Sequence, residues 1–138
     1  MKRLSVIKTG TAILFLGLLF FFPSAGNAQQ TIDIQVSPNV LNIQNNGQVV
    51  TVHTDIAYSL VDAETVSMNG VDIYSWKADL QGNFVAKFQM SEVKALVDAG
   101  VIIVGEYNEL VLTGSKTDGT TFTGSDMVLV INVIPKKK

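Results

Sequence analysis

Residues 112–134, LTGSKTDGTTFTGSDMVLVINVI, carry the pattern that decides the fold. Apolar and polar residues alternate up to the turn sequence Lys116–Thr120, where Gly119 supplies the positive φ that a tight turn needs. A second run opens at Phe122 and continues to Ile134. Two extended runs joined by a short Asp-Gly turn predict a β-hairpin, so this part of the chain forms two paired strands.

The same two-residue period recurs through most of the chain before this hairpin. Val50, Val52 and Ile56, for example, fall on one face of a predicted strand, opposite polar residues. Alternation of this kind predicts strands with one face in a core and one face in water. Asn-Gly and Gly-Asn pairs, which favour turns, separate the runs near residues 45–47, 69–70 and 81–83.

One segment has helical spacing instead. In residues 91–100, SEVKALVDAG, the apolar residues Val93, Leu96 and Val97 share one helix face, and Ser91 is placed to cap the N-terminus. Short strands with regular turn signals and one short helix predict an all-β fold. The specific expectation is an immunoglobulin-like β-sandwich of about seven strands.

The first 28 residues have the three-part order of a secretory signal peptide. A basic start precedes the apolar run 12–22, AILFLGLLFFF, and the small-residue exit 23–28, PSAGNA, which places cleavage after Ala28. The alternative is a retained anchor, but the apolar run has eleven residues, and a span needs about 20. The pattern predicts a protein secreted to the periplasm or cell surface, with no membrane span after cleavage.

Cleavage leaves residues 29–135 as one β-sandwich domain and residues 136–138 as a basic tail. Three of the ten basic residues lie in the signal and three in the tail, so the domain has four against twelve acidic residues, a net charge of −8. An acidic domain without arginine argues against nucleic-acid binding. The absence of cysteine from the sequence excludes disulfides, thiolate metal sites and a cysteine nucleophile.

Catalytic patterns are weak. His53 is the single histidine and falls with Thr51 and Asp55 on the predicted solvent face of its strand, and no Gly-x-Ser-x-Gly turn presents a serine to it. Glu106 and Glu109 are three residues apart, so on one strand they face opposite sides and do not form a carboxylate pair. The sequence therefore predicts no bound cofactor and no enzyme. Catalysis ranks third, behind protein binding and carbohydrate binding.

Residues 34–43, IQVSPNVLNI, and residues 112–126, LTGSKTDGTTFTGSD, together resemble the small immunoglobulin-like β-sandwich repeats of exported bacterial and archaeal surface proteins. The likeness covers most of residues 31–134, and the closing motif is its most specific part. The resemblance implies a binding or spacer module rather than an enzyme. It also implies that Val128 and Val130 face the core.

Repeats of this group often carry an Asp-rich calcium loop before the strand that resembles residues 84–88. Here that place reads KADLQGN, residues 77–83, where Asp79 offers the one carboxylate and Gln81 and Asn83 offer amide oxygens. Calcium takes six to eight oxygen ligands, several of them charged. The sequence therefore predicts no metal at this loop.

Two groups of residues are candidate binding sites. Tyr74 and Trp76 lie two apart, so they share a face and are placed to stack on sugar rings, although such pairs also occur in cores and interfaces. If Val128 and Val130 face the core, Met127, Leu129 and Ile131 face outward, where polar residues are expected. The second group is therefore a possible partner interface, formed by Met127, Leu129 and Ile131.

Three explanations of the outward row remain open. The helix or a loop covers it, the strand crosses between sheets, or the row is an interface for self-association or for docking on an exported protein. The sequence as a whole predicts a non-catalytic exported module that acts through protein–protein contact. The alternative is a carbohydrate-binding module, which binds polysaccharide with its exposed aromatic residues.

Overall fold

The structure, a computed structural model, describes residues 29–136. The predicted signal peptide, residues 1–28, and the last two residues of the basic tail lie outside the described residues. Two β-sheets and one short α-helix account for most of the described chain, which confirms the prediction of an all-β sandwich.

The described chain contains ten strands and one α-helix. In chain order they are β1 (Gln29–Thr31), β2 (Ile34–Ser37), β3 (Val40–Asn42), β4 (Val49–Ala57), β5 (Val61–Met68), β6 (Val71–Asp72), β7 (Ser75–Ala78), β8 (Asn83–Gln89), α1 (Met90–Asp98), β9 (Tyr107–Lys116) and β10 (Thr121–Ile131). Ten strands exceed the expected seven because the opening segment divides into three and because the two-residue β6 is a strand of its own. Breaks between β1 and β2 and at Pro38, which has no N–H to donate, cause this division.

The strands form two sheets. One has the order β1–β10–β9–β5–β6, with β3 also paired to β10, and the other has the order β2–β4–β8–β7. The predicted hairpin is confirmed as β9 and β10, which pair from Ser115 with Thr121 to Tyr107 with Leu129. Its turn has Gly119 at a φ of 89°.

A hydrogen-bonded carboxylate closes this turn. Asp118 Oδ1 accepts the hydroxyl of Thr120 at 2.6 Å and the N–H of Thr120 at 2.9 Å. These hydrogen bonds favour the ionised carboxylate and lower the pKa of Asp118 below its ordinary value. Gly119 therefore has the positive φ that the sequence predicts, and Asp118 stabilises the same turn with its side chain.

The core lies between the inner faces of the two sheets. The largest fully buried side chains are Phe84, Phe88, Phe122, Leu41, Met68, Ile102, Leu110 and Leu112. Val128 and Val130 are also fully buried, as the resemblance implies. Phe122 occupies space that a side chain at Gly114 would need, since a Cβ there would lie 2.7 Å from the Phe122 ring.

The helix differs from the prediction at its start. It begins at Met90, with Gln89 rather than Ser91 at the N-cap and without a side-chain capping bond. Met90 is buried, and its N–H donates to Gln48 O at 2.9 Å, so tertiary packing determines the first turn. Gly100 ends the helix at a φ of 75°, as expected.

The last strand is shorter than predicted. β10 ends at Ile131 rather than Ile134. Beyond it the side chain of Asn42 takes the place of a strand backbone, because its Oδ1 accepts the N–H of Val133 and its Nδ2 donates to Val133 O. The chain therefore stays beside β3 without extending the sheet.

The opening segment crosses from one sheet to the other and back. β1 pairs in parallel with the start of β10, β2 pairs with β4 in the other sheet, and β3 returns to pair in parallel with the end of β10. Gly124 of β10 lies beside the point where the opening segment leaves β10 for the other sheet. A Cβ at Gly124 would lie 2.8 Å from the carbonyl oxygen of Ile32 and 2.8 Å from the side chain of Ile34.

We expect Gly124→Ala to lower the free energy of unfolding by about 1–3 kcal/mol, because an added methyl group overpacks the crossing. Thermal or denaturant unfolding measures the change. Ser125→Ala, at the exposed neighbour, is the matched control and should leave the midpoint within about 0.5 kcal/mol of the wild type. An unaltered midpoint in Gly124→Ala would contradict the close approach described here.

Candidate functional site

The outward face of β10 carries the row that the sequence singles out. Met127 is 52% exposed, and Leu129 and Ile131 are half-buried. β10 remains in one sheet along its length, and it is the opening segment that crosses. The helix contacts β8 and β4 of the opposite sheet. Half of the Met127 side chain therefore remains accessible.

Two residues that the sequence pattern does not identify lie on either side of this row, on the neighbouring strands. Leu129 is paired with Val40 of β3 on one side and with Tyr107 of β9 on the other. Directly paired residues share a face, so these side chains are close neighbours of Leu129. Val40 is 45% exposed and Tyr107 is 65% exposed. We call Val40, Tyr107, Met127, Leu129 and Ile131 the outer patch.

The surroundings of the outer patch contain little charge. Glu109, which is paired with Met127, is the one charged residue among the outward positions of β3, β9 and β10 within the described chain. The remaining outward positions toward the hairpin turn are mostly hydroxyl residues: Thr113, Ser115, Thr121, Thr123 and Ser125. The outward face of the other sheet differs, since it presents His53, Asp55, Lys77 and Lys87.

The aromatic pair lies at the edge of the sandwich. Trp76 is on β7, an edge strand, and is paired with the buried Ala86 of β8, so both side chains are on the core side of their sheet. Trp76 is nevertheless 38% exposed, and Tyr74, just before β7, is 57% exposed. The two residues therefore form a small aromatic surface at the rim rather than on a broad sheet face.

A polar groove of about 440 Å³ lies where β2 passes β10. Ser37, His53 and Asp126 are among its lining residues, which is the set of residue types that a nucleophilic triad uses. Asp126, however, accepts the N–H of Val36 through Oδ2 at 2.8 Å. Among residues 29–136, no hydrogen bond joins Ser37 to His53 or His53 to Asp126. The prediction that the protein is not an enzyme stays a prediction.

The loop at residues 77–83, where the sequence predicts no metal, is closed by its own aspartate. Asp79 Oδ1 accepts the N–H of Gln81 at 2.8 Å and the N–H of Asn83 at 2.9 Å. Across the described part of the chain, no group of three or more His, Asp or Glu residues is arranged to hold a metal ion. The geometry therefore gives this carboxylate a structural role in the turn.

Comparison of the chain with known protein families, with curated proteins and with solved structures finds no match. Within residues 29–136, no helix has the length and apolar character needed to cross a membrane.

Proposed function

We propose that this protein is a non-catalytic module, exported to the periplasm or the cell surface, which acts through protein–protein contact at the outer patch. The observation that carries the proposal is the accessible apolar row Met127, Leu129 and Ile131, flanked by exposed Val40 and Tyr107. The largest apolar patch on the surface of a monomeric protein is often a functional site.

The composition of the outer patch supports an interface. The central parts of protein–protein interfaces are poor in charged residues and rich in aromatic residues and methionine. The outer patch has Tyr107 and Met127 around a central leucine, with Glu109 at its margin. A rigid sheet also presents these side chains without the entropy loss that ordering a flexible loop requires.

The strand order supports an immunoglobulin-like sandwich as the scaffold. In that fold one sheet has the order A-B-E-D and the other contains G, F and C as neighbours. The sheet β2–β4–β8–β7 has the first order, and β10–β9–β5 has the second, with the same chain sequence of strands. This scaffold is consistent with the binding role that the resemblance implies.

A charge at the centre of the outer patch provides the test. We expect Leu129→Lys to fold and to lose its protein partner, because a lysine placed at a central anchor costs about 2 kcal/mol or more in binding. Immobilised wild type and variant are compared for the proteins they retain from an envelope extract. Circular dichroism verifies that the variant is folded.

Thr121→Lys is the matched control, since it adds the same charge to the same face of β10 about 27 Å from Leu129. Met127→Lys, at the more exposed position, replaces Leu129→Lys if the latter does not fold. A protein retained by wild type and control but not by the patch variants supports the proposal. Equal retention by the wild type, the control and the folded patch variant would contradict it.

We also propose, as the alternative, a carbohydrate-binding role for the aromatic edge. The observation that favours it is that Tyr74 and Trp76 share a side of the edge strand and are both exposed. Aromatic rings that expose one side to water are suited to packing against the apolar face of a sugar.

Trp76→Ala should abolish retention on a polysaccharide affinity gel and leave the circular dichroism spectrum unchanged, because Trp76 lies at the rim of the sandwich with 38% of its surface exposed. Tyr58→Ala is a control that removes an exposed aromatic ring elsewhere, near the 3₁₀ turn Tyr58–Leu60. If wild-type protein is not retained at all, the carbohydrate role is wrong. If Trp76→Ala unfolds the domain, Trp76 belongs to the core.

A further inference from the structure

We infer that the end of the sandwich at which β10 finishes binds a membrane surface rich in anionic lipid. Exposed apolar side chains enter the headgroup region, and the lysines of the basic tail contact the headgroups. This contact is separate from the outer patch and goes beyond the proposed function.

Exposed apolar residues lie on both sides of the end of β10. On the β9 side, the loop after α1 carries Val101 and Ile103 and is hydrogen-bonded to Val130 near the end of the strand. On the other side, Val133 and Ile134 follow β10 along the chain. All four side chains are at least half exposed, and Ile134 is 77% exposed. We call Val101, Ile103, Val133 and Ile134 the apolar tip.

Side chains of the opening segment and the turn after it hold part of the apolar tip in place. Nδ2 of Asn42 donates to Val133 O at 2.8 Å, and Oδ1 of Asn42 accepts the Val133 N–H at 3.1 Å. Nε2 of Gln44 donates to Asn132 Oδ1 at 2.7 Å. These three bonds fix a segment that belongs to neither sheet and that carries exposed apolar side chains. A preformed surface of this kind loses little conformational entropy when it binds.

Positive charge follows the apolar tip directly. Residues 136–138 are all lysine and begin two residues after the tip. Nζ of Lys94 in α1 donates to a backbone carbonyl of the loop before β4, which places a fourth positive charge at this end. The acidic residues of the helix and its following loop are Glu92, Asp98 and Glu106, and the four lysines outnumber them.

The acidic residues at the opposite end of the sandwich are too distant to oppose this charge. Asp118 lies in the hairpin turn, and Asp62 is paired with Ser115 next to that turn. β10 has 11 residues, so its length separates the turn from the tip by about 34 Å. Because the Debye length is about 8 Å at physiological ionic strength, these carboxylates are screened from a surface at the tip.

The combination of residue types distinguishes among partners. A soluble polyanion binds lysines but leaves apolar side chains in water, and lysine is depleted in protein–protein interfaces. A bilayer with anionic headgroups matches both features, because interfacial binding combines burial of apolar area with electrostatic attraction. Each lysine close to such a surface raises the affinity roughly fivefold.

Vesicle sedimentation tests this inference. The exported protein should sediment with phosphatidylglycerol vesicles but not with phosphatidylcholine vesicles, and added salt should weaken the binding. Ile134→Ser should bind about tenfold more weakly, because burial of the isoleucine side chain is lost. The triple variant Lys136→Gln, Lys137→Gln, Lys138→Gln should bind roughly 100-fold more weakly. These positions lie outside both sheets, so each variant should keep the wild-type circular dichroism spectrum.

Leu80→Ser is the matched control, since it removes a fully exposed apolar side chain from the loop between β7 and β8. It should bind phosphatidylglycerol vesicles like the wild type. Leu129→Lys should also keep vesicle binding, which separates this contact from the outer patch.

Four results would overturn the inference. The wild type does not bind phosphatidylglycerol vesicles, or Ile134→Ser binds them as tightly as the wild type. Leu129→Lys loses the vesicles, which would place the lipid contact on the outer patch. Soluble polyphosphate binds the wild type and Ile134→Ser as tightly as the vesicles bind the wild type, which would show a polyanion site instead.

Discussion

The hydrogen bond from the N–H of Val36 to the carboxylate of Asp126, 2.8 Å long, joins the two sheets of this protein at the edge where the chain crosses between them. Val36 is buried on β2, and an unpaired buried N–H costs about 1–3 kcal/mol, so its donor needs a partner. Asp126 reaches it from β10 of the opposite sheet. Gly124, two residues earlier, leaves the space in which the crossing chain passes.

The outer patch depends on this crossing. Because β2 is held in one sheet while β10 lies in the other, the chain can return as β3 and pair with the end of β10. That pairing places Val40 beside Leu129 and covers part of the β10 edge, which would otherwise be open to other strands. One segment therefore builds the scaffold and also supplies one flank of the outer patch.

Local signals in the sequence predict much of this fold. Alternation identifies the buried faces, and Gly119 identifies the hairpin turn, because both are properties of a few neighbouring residues. The sequence does not predict that Val40 and Tyr107 lie beside Leu129, because that placement depends on how the strands pair. β3 is nearly 90 residues away from its partner in β10, so no local pattern indicates the pairing. Ser91 is not the helix cap because burial of Met90 outweighs local capping preference. The motif at residues 112–126 is visible in the sequence. The structural roles of Gly124 and Asp126, however, depend on contacts with the opening segment, which is distant in sequence.

Amide hydrogen exchange at Val36 in Asp126→Ala tests the central claim most directly. If the carboxylate holds the crossing, the Val36 N–H loses protection relative to the wild type, and the free energy of unfolding falls by about 1–3 kcal/mol. Asp118→Ala, which removes a carboxylate from the exposed hairpin turn, should leave the protection of Val36 at its wild-type level after correction for any change in global stability. Unchanged protection of Val36 in Asp126→Ala would contradict the account.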